Sequence, residues 1–504
     1  MERTTIKVNP KDDVIVAIED ISQDTFLSEA NITTKSFIPA GHKIALYPKK
    51  INEPLLRYGQ IIGFATSDIA VGAHVHTHNL GMGEFEKDYA WAEDYKPTNF
   101  VKTTDYFMGI RREDGQAATR NYIGLISSVN CSATVIKAVE DHFKAKGLDD
   151  YPNVDGVVSL PQSFGCAIGD KTETMTVLRR TIAGYATHAN FAGVILVGLG
   201  CESNQIKDLL TVHNLHKGAK LQSYTIQEVG GTRKAIEKGI EIVEQMLPTA
   251  NQVTREKMPV SELILALECG GSDSYSGISA NPVLGYAADK IIFQGGTAIL
   301  SETTEIYGAE HLLTRRAVSK EVGKKLIKRI EWWEDYCQRT GSEMNNNPSA
   351  GNKEGGLTTV LEKSLGGISK AGTTNLVEVY EYAEPVVAKG FVFMDTPGYD
   401  PLAVTGQIAG GANLLCFTTG RGSAFGSKPT PCLKLATNNK LWERQEEDMD
   451  INCGTVVSGE ETIEEVGERL YQMILEMASG KKTKSEAFGY GSQEFVPWIV
   501  GSIM

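Results

Sequence analysis

Four stretches of the chain share one plan, in which an apolar run of strand-forming residues ends on a cysteine. Continuous apolar runs are typical of strands that are buried on both faces of a parallel sheet. In such sheets, ligands bind outside the carboxyl ends of the strands. The pattern therefore predicts an α/β fold whose strand ends carry thiols towards a shared site. The four runs are YIGLISSVNC (122–131), GVVSLPQSFGC (156–166), AGVILVGLGC (192–201) and LILALEC (263–269).

The spacing of these cysteines supports a repeated unit. Cys131, Cys166 and Cys201 lie 35 residues apart, which is about the length of one strand–helix unit. We therefore expect their three strands to be neighbours in one sheet. The alternative interpretation is packing, since free cysteine is often buried as a small apolar residue. The remaining cysteines do not follow apolar runs in this way, and we interpret them as structural thiols.

Composition limits the class of protein. A chain of 504 residues is too long for one hydrophobic core, so several domains are expected. The formal net charge of -13 argues against nucleic acids and anionic membranes as partners. No apolar run approaches the roughly 18 residues of a membrane span. Eight cysteines without a secretory signal predict a reducing, cytoplasmic setting.

The chain divides into four parts by pattern. Residues 1–80 show short alternating runs separated by turn signals, which predict an all-β module. Residues 81–104 are acidic and aromatic without a clear period, which indicates a linker or a wrapped arm. Strands alternate with helical patterns in 105–255 and again in 256–504. The predicted fold is therefore a multidomain α/β protein, with an all-β module followed by two domains that have mostly parallel, Rossmann-like sheets.

Three histidines alternate at the end of the all-β module, at His74, His76 and His78. Because side chains of a strand repeat every two residues, this alternation predicts three imidazoles on one strand face. Such a group can bind a divalent metal or accept a proton from a substrate. The alternative is an exposed strand that happens to carry histidines.

Polar loops that follow predicted strands offer further groups. The Gly270–Gly271 pair allows the backbone to approach a ligand closely. The Glu302 and Glu305 carboxylates suit a metal or acid–base catalysis, and Arg421 in a glycine-rich loop suits a carboxylate or a phosphate. Helix capping and solvated loop charges are the alternatives. The loop residues with these assignments are Gly270, Gly271, Ser272, Asp273, Glu302, Asn352, Lys353 and Arg421.

Three common motifs are absent from the sequence. No glycine-rich loop ends in the Gly-Lys-Ser/Thr of a Walker motif, and no GxGxxG opens a helix after a strand. No GxSxG elbow is present either. A nucleotide triphosphatase, a dinucleotide-dependent enzyme and a serine hydrolase are therefore not supported.

The chain resembles the altronate/galactarate dehydratase family nearly from end to end. The N-terminal module resembles the SAF (β-clip) domain that opens these enzymes. HVHTHN is similar to the altronate branch, whereas DINCGT and GEETIEEVG are closer to the galactarate branch. The other matching segments are GHKIAL, RYGQIIGFA, EDGQAATRN, the VNC and FGC cysteines, VGLGCE, LECGGSDSYSGISANP, NPSAGNKEGG, EKSLGGISKAG and FTTGRGSAFG.

The resemblance implies a hydro-lyase that dehydrates a sugar acid to a 2-keto-3-deoxy acid. We expect altronate as the substrate, with galactarate as an alternative. A sulfo-lyase related to the sulfolactate enzymes is a further alternative, and a sugar-acid-binding sensor is the non-enzymatic one. A homodimer is expected.

The resemblance also implies a divalent metal. Iron(II) is favoured over manganese or magnesium because thiols and imidazoles suit iron, and a 4Fe–4S cluster is the alternative. Lys353 is the candidate general base and Glu302 the second, with His76 also catalytic. Arg421 would hold the substrate carboxylate, with the other substrate contacts from Gly270, Gly271, Ser272, Asp273 and Asn352. The metal ligands are expected among His74, His76, His78, Cys131, Cys166, Cys201 and Cys269.

The position of the histidine run suggests a role for the first domain. It lies at the end of the module formed by residues 1–80, just before the predicted linker. We therefore expect this module to act as a lid that brings His76 to a site built by the other two domains. Removal of the module would then leave a folded remainder.

Overall fold

The computed structural model describes residues 3–83, 87, 89–102 and 104–501. The first domain is built from short strands that form two antiparallel sheets, β1-β2-β5-β8 and β6-β7-β9, and the hairpin β3-β4. This is the predicted all-β module. Its strands are β1 (Thr5–Ile6), β2 (Val14–Ala17), β3 (Phe26–Leu27), β4 (Ile32–Thr33), β5 (Lys43–Ala45), β6 (Pro54–Arg57), β7 (Gln60–Ala65), β8 (His74–Val75) and β9 (Leu80–Gly81).

The second domain contains a four-stranded parallel sheet in the order β13-β12-β14-β15, flanked by helices. A small antiparallel sheet, β11-β10-β16, joins it to the third domain. The elements are β10 (Tyr106–Arg111), β11 (Ala117–Ala118), β12 (Tyr122–Ser127), α1 (Ala133–Lys146), β13 (Gly156–Leu160), α2 (Glu173–Ala186), β14 (Phe191–Gly198), α3 (Ile206–Val212), β15 (Leu221–Thr225), α4 (Ile226–Val229), α5 (Thr232–Ala250) and β16 (Glu256–Pro259).

The third domain is built on a seven-stranded parallel sheet in the order β19-β20-β18-β17-β21-β22-β23. The predicted α/β class is thereby confirmed. The elements are β17 (Ile264–Cys269), α6 (Ala280–Phe293), β18 (Thr297–Leu300), α7 (Glu310–Arg315), α8 (Lys320–Thr340), α9 (Ala350–Glu354), α10 (Val360–Gly367), β19 (Leu376–Tyr380), β20 (Gly390–Met394), α11 (Asp400–Ala409), β21 (Leu414–Thr419), β22 (Cys432–Ala436), α12 (Asn439–Arg444), β23 (Ile451–Asn452), α13 (Gly454–Ser458), α14 (Ile463–Ala478) and α15 (Lys484–Ala487).

Short 3-10 turns complete the secondary structure, at Asn130–Ser132, Val260–Glu262, Thr303–Glu305, Met344–Asn346 and Ile368–Ala371. Within the described ranges, none of the helices combines the length and the apolar character that crossing a bilayer requires.

The strand order of the third domain points to a binding position. β17 is the first strand of the sheet along the chain, and it lies between β18 on one side and β21 on the other. The chain therefore builds the sheet outwards in both directions from β17. In open parallel sheets, ligands bind at the carboxyl ends of the strands beside such a switch point. The crevice beyond β17 and β21 is thus the expected site.

The structure separates the four cysteine runs into two sheets. β12 pairs with both β13 and β14, which confirms that the first three runs are neighbours. Their cysteines lie in the loops beyond the strands, where all three are exposed. Cys269 is instead the last residue of β17 in the other sheet, and it is buried. The four thiols therefore do not share one sheet edge, contrary to the prediction.

The first domain is packed firmly onto the third. Val14, Ile62 and Val75 of the first domain belong to the same hydrophobic core as Leu284 and Phe391 of the third. Full burial of one such side chain contributes roughly 1.5–3 kcal/mol, and a core shared by two domains makes part of this contribution depend on their contact. Removing the first domain would therefore expose an apolar face of the third domain.

A buried ion triad crosses the same interface. The Glu362 carboxylate accepts from Lys43 at 2.9 Å and from Arg57 at 2.5 Å, and all three side chains are at most 1% exposed. Without the first domain, the Glu362 charge would remain buried without a partner cation. The shared core and this triad argue against a mobile lid and against an independently folded remainder, because the interface has the character of a protein interior.

The segment between the first two domains lies along the third domain. The described residues 87 and 89–102 run as an arm, with the Ala92 N–H donating to the Thr314 carbonyl at 3.1 Å and the Val101 N–H to the Phe293 carbonyl at 2.9 Å. The remainder of the predicted segment 81–104, at residues 84–86, 88 and 103, lies outside the described residues. Of the two interpretations of this segment, the wrapped arm matches the described part.

The ion triad generates a stability prediction. Glu362→Gln keeps the shape of the side chain but leaves the Lys43 and Arg57 charges buried without a counter-charge. Removing one partner of a buried pair destabilises by roughly 3–5 kcal/mol. We expect a fall of this size in the free energy of unfolding, measured by urea denaturation with circular dichroism.

The matched control is Asp68→Asn, because the Lys50–Asp68 pair has a similar distance of 2.7 Å but is exposed. A surface pair of this kind contributes about 0–1 kcal/mol. Equal losses for the two variants would show that the triad is no more stabilising than a surface contact.

Candidate active site

A cavity of about 530 Å³ opens at the carboxyl end of β17, at the expected switch point. Cys269, Gly270 and Gly271 form its base, and Trp333 and Tyr336 form an aromatic wall. Most of the other lining residues have polar side chains, which can form hydrogen bonds with a ligand that carries several hydroxyl groups. Polar lining residues include Thr304, Glu305, Asn347, Ser349, Asn352, Lys363 and Asp400.

A cluster of ionisable side chains lies at and beneath the base of this cavity. The Lys370 ammonium lies 2.8 Å from the Cys269 Sγ and 3.5 Å from the Glu302 carboxylate. Lys363 pairs with Glu305 at 2.7 Å. Four carboxyl groups and a thiol thus face two ammonium groups. The members are Glu268, Cys269, Glu302, Glu305, Lys363, Lys370 and Asp400.

Local backbone conformation places the central carboxylate. Glu302 follows β18 with φ 66° and ψ 70°, in the left-handed region that a residue with a side chain rarely adopts. Its N–H donates to the Thr396 hydroxyl at 2.8 Å, which helps to hold this conformation. Strain of this kind concentrates at functional sites. Glu302 is only 1% exposed, so the strained residue directs its carboxylate into the interior.

The absence of a side chain at Gly270 makes room for another carboxylate. A Cβ at this position would overlap the Asp400 carboxylate and the Phe417 ring. Glycine therefore allows Asp400, at the start of α11, to approach the end of β17. This places Asp400 on the cavity wall beside the buried cluster.

Burial and like charges shift the pKa values of the carboxyl groups. Burial and the nearby Glu305 raise the pKa of Glu302 to about 8 and that of Asp400 to about 6. Burial together with Glu302 also raises the pKa of Glu268. Although burial opposes it, the Lys363 ammonium lowers the pKa of Glu305. Shifts of this kind in a cleft are typical of functional sites.

The cluster has the properties of a divalent cation site. Ligand atoms of Cys269, Glu302 and Glu305 lie within 4.8 Å of one another, and so do those of Glu268, Glu302 and Asp400. The buried Oε1 atoms of Glu268 and Glu302 have no hydrogen-bond partner among the described residues. Carboxylate oxygens suit magnesium, manganese or iron(II), and the thiol favours iron. The residues present therefore fit the implied metal.

A second set of metal-ligating side chains lies in the first domain. Ring nitrogens of His42, His74 and His76 lie within 4.8 Å of one another. Burial and nearby positive groups lower the pKa of His74 to about 4 and that of His76 to about 3. The imidazoles are therefore uncharged at neutral pH. The His42 Nε2 lies 3.1 Å from the Glu354 carbonyl of the third domain.

The histidines that form this set differ from the three that the sequence predicted. β8 ends at Val75, and the chain turns over the next residues, so the two-residue alternation does not continue to His78. His78 is exposed, although its ring centroid lies 5.3 Å from that of His74. The third imidazole comes from His42, beside β5, which the sequence analysis did not select. The expected strand face with three histidines is thus wrong.

Other predicted site residues have structural contacts. Asp273 accepts hydrogen bonds from Ser276, Thr437 and Asn438, so it connects several loops. Asn352 lines the cavity but also donates to the Ser272 carbonyl at 2.8 Å.

Two predicted residues, Lys353 of α9 and Arg421, are not part of the cavity lining. Arg421 is exposed and pairs with Glu354 at 3.0 Å, and Lys353 is half-buried. The structure thus brings Glu302, Cys269 and the Gly270–Gly271 pair together at and beneath the base of the cavity. Arg421 lies next to this base, because its N–H donates to the Gly271 carbonyl at 3.1 Å.

The thiols of the second domain form a separate group. Cys131, Cys166 and Cys201 are exposed in the loops after three adjacent strands. None of the three-residue ligand sets found in the described part of the chain includes them. The structure therefore does not join these thiols with Cys269 or with the histidines.

Several residues of the site were not selected from sequence. Glu268 carried a signal, because a carboxylate inside an apolar strand run is rarely buried without a reason. Lys363 and Lys370 occur in EKSLGGISKAG, a segment that carried the family resemblance without an assigned role. Asp400 had no signal in the sequence, since its approach to β17 depends on tertiary packing.

The fold and the cluster define a class of protein. A strained, buried carboxylate with a raised pKa, beneath a polar cavity at the switch point of a parallel sheet, is the arrangement of an α/β enzyme. Family profiles identify the type. Residues 3–83 match the altronate/galactarate dehydratase SAF domain, residues 109–251 the second domain of D-galactarate dehydratase/altronate hydrolase, and residues 260–503 the C-terminal domain of D-galactarate/altronate dehydratase.

Individual relatives agree with the profiles. The chain is 38% identical to a galactarate dehydratase (L-threo-forming) of Escherichia coli, over 97% of this chain and 95% of that protein. It is 34% identical to an altronate dehydratase of Bacillus subtilis, over 96% and 97%, and 32% identical to one of Escherichia coli, over 95% and 96%. The chain belongs to the altronate/galactarate dehydratase family, a family of carbon–oxygen lyases.

The thiol environments generate a prediction about reactivity. In the native, metal-free protein, a chromogenic disulfide reagent should react rapidly at Cys131, Cys166 and Cys201, because they are exposed. The buried Cys269, Cys416, Cys432 and Cys453 should react only after unfolding. Stopped-flow absorbance counts the rapid equivalents.

Single variants provide the control for this count. Cys131→Ser should remove one rapid equivalent, whereas Cys416→Ser should remove none. A wild-type chain with no rapidly reacting thiol would contradict the exposed loops after β12, β13 and β14.

Proposed function

We propose that this chain is a hydro-lyase that removes water from a sugar acid bound in the cavity beyond β17. The product would be a 2-keto-3-deoxy acid. The observation that carries the proposal is the buried, acid-rich cluster that opens into a polar cavity at the switch point. Galactarate and altronate, named for the relatives, both carry the hydroxyl groups and the carboxylate that such a cavity suits.

Dehydration requires removal of a proton from C2 and departure of a hydroxyl group from C3. Asp400 lines the cavity, and its pKa of about 6 leaves it mostly ionised at neutral pH. We assign it as the proton acceptor in preference to Lys353, which does not line the cavity. Glu302, the other candidate base, is assigned to metal binding because it belongs to both carboxylate sets.

Lys363 is the group that would bind the substrate carboxylate. It lines the cavity, and although burial opposes it, Glu305 raises the pKa of its ammonium. The charge is therefore present at neutral pH. The polar side chains of Thr304, Ser349 and Asn352 would bind the hydroxyl groups of the substrate.

We further propose that Cys269, Glu302 and Glu305 hold a divalent cation. Iron(II) is favoured by the thiol, with manganese or magnesium as alternatives. When bound, the cation would supply Lewis-acid stabilisation of the charge that develops on the substrate carboxylate. A 4Fe–4S cluster is less well supported, because the exposed cysteines of the second domain do not line this cavity.

The charges of the cavity favour an aldonate over an aldarate. Among the described residues that line it, Lys363 is the single lysine or arginine, whereas Glu305, Glu343 and Asp400 are acidic. An aldonate such as altronate has one carboxylate, and Lys363 can bind it. The second carboxylate of galactarate would find no further lysine or arginine in this lining. Identities of 38% and 34% to the two kinds of relative do not separate these substrates.

A substrate panel tests the proposal. With iron(II) present, altronate should yield a 2-keto-3-deoxy acid with a kcat/KM at least about tenfold above that of galactarate. Glu343→Lys should narrow this difference by adding a cation to the cavity wall. Glu354→Lys is the control, because Glu354 is an exposed acid that does not line the cavity. No keto acid from any aldonate or aldarate would refute the proposal, and a preference for galactarate would refute the substrate assignment.

A pair of glycine variants tests the role of Asp400. In Gly270→Ala, the new methyl group would displace the Asp400 carboxylate. Because displacement by about 1 Å can lower turnover by about 100-fold, we expect a loss of this size in kcat. In the control Gly351→Ala, a Cβ meets nothing within 4 Å, so turnover should be retained. Equal kcat values in the two variants, both folded by circular dichroism, would remove Asp400 from the catalytic assignment.

A further inference from the structure

The first domain contains a cluster of imidazoles that the proposed reaction does not use. His42, His74 and His76 have ring nitrogens within 4.8 Å of one another. Their ring centroids are 4.6 Å apart for His42 and His76, and 5.0 Å apart for His42 and His74. None of the three lines the cavity beyond β17. We propose that these histidines form a second metal site, which is independent of the carboxylate site and selects a transition metal ion.

The first argument is an unsatisfied atom. The Nδ1 of His76 is buried and has no hydrogen-bond partner among the described residues. Buried polar atoms almost always have a partner, and an exception indicates a missing water or ion. A metal ion between the rings would satisfy this nitrogen.

The second argument is the orientation of His42. Its Nε2 lies 3.1 Å from the Glu354 carbonyl, which can only accept a hydrogen bond, so this nitrogen carries the proton. The Nδ1 of the same ring is then free of a proton and accepts a hydrogen bond from the Nε2–H of His74 at 2.9 Å. A metal ion bound between the two nitrogens would replace that proton. Metal-binding histidines are usually oriented in this way, with the ring nitrogen that does not bind the metal donating a hydrogen bond to a carbonyl.

The third argument is that the backbone positions the set before any metal binds. The Asn79 side chain donates to the His74 carbonyl at 2.9 Å and accepts from the His76 N–H at 2.9 Å. β8 pairs with β5, which places His74 opposite Ile44 and thus near His42. Metal–nitrogen bonds of about 2.0–2.1 Å require nitrogens about 3.3 Å apart, so small ring rotations would complete the site.

The donor set determines which metals would bind. Three neutral imidazoles suit zinc, iron(II), cobalt(II) or nickel(II), whereas magnesium prefers oxygen ligands. The carboxylate-rich set beyond β17 offers mostly oxygen ligands, which magnesium also accepts. The chain would therefore bind two ions of different character, and excess magnesium would compete at the carboxylate site but not at the histidines. This inference does not depend on the proposed reaction.

Cobalt(II) is the probe for the test. Apoprotein, prepared with a chelator, is titrated anaerobically with Co²⁺ in millimolar Mg²⁺, and bound cobalt is measured by equilibrium dialysis and by its visible absorption bands. We expect one tightly bound equivalent per chain in the wild type. Glu302→Gln should keep this equivalent, because Glu302 belongs to the other site.

Histidine variants decide the assignment. His42→Ala and His76→Ala should each lose the bound cobalt and its visible bands, while His78→Ala should keep both because His78 is exposed beside the set. Retention of the full equivalent in His42→Ala and His76→Ala, or no cobalt bound by the wild type, would overturn the proposal.

A spectroscopic measurement on the wild type tests the same proposal without variants, so it remains decisive if a histidine variant does not fold. X-ray absorption of the cobalt-loaded protein in Mg²⁺ should show nitrogen or oxygen neighbours at about 2.0–2.1 Å, with imidazole scattering and no sulfur. A sulfur neighbour would place the cobalt at a cysteine and would refute the histidine site. Because no step requires substrate, failure of the proposed reaction would leave this result unaffected.

Discussion

The buried carboxylate of Glu362 is the interaction on which the arrangement of the molecule depends. It pairs with Lys43 and Arg57 of the first domain, and each of these charges would be strongly unfavourable in the interior without the others. The next residue on the same helix, Lys363, pairs instead with Glu305 of the acid-rich cluster. One turn of α10 therefore joins the domain interface to the candidate active site.

The cluster beyond β17 combines features that are unfavourable for stability. Its carboxyl groups outnumber its lysines, and Glu302 is held in a strained conformation. Proteins keep such arrangements where function requires them, since strain and buried charge each lower stability. A divalent cation would offset the excess negative charge.

Sequence patterns predicted the presence of helices and strands better than the residues at which they begin and end. The pattern of residues 311–340 predicts one helix, but the structure divides this part of the chain between α7 and α8. Ala317 bridges to Leu376 of β19, and the Ser319 side chain caps the start of α8. No glycine or proline marks this break, so a local pattern could not reveal it. The prediction of three histidines on one strand face was wrong for a related reason, because a two-residue alternation does not show where the strand ends.

The sequence by itself determined the class of fold, the three adjacent strands before Cys131, Cys166 and Cys201, and the family. These follow from periodicity and from motifs that are contiguous in the chain. Tertiary structure decided which side chains meet. It placed His42 beside His74, Glu362 beside Lys43, and Asp400 at the end of β17. It also separated Cys269 from the three exposed thiols of the second domain. The physical reason is that charge pairing and metal binding depend on distances in space, and the packing of the whole chain sets these distances.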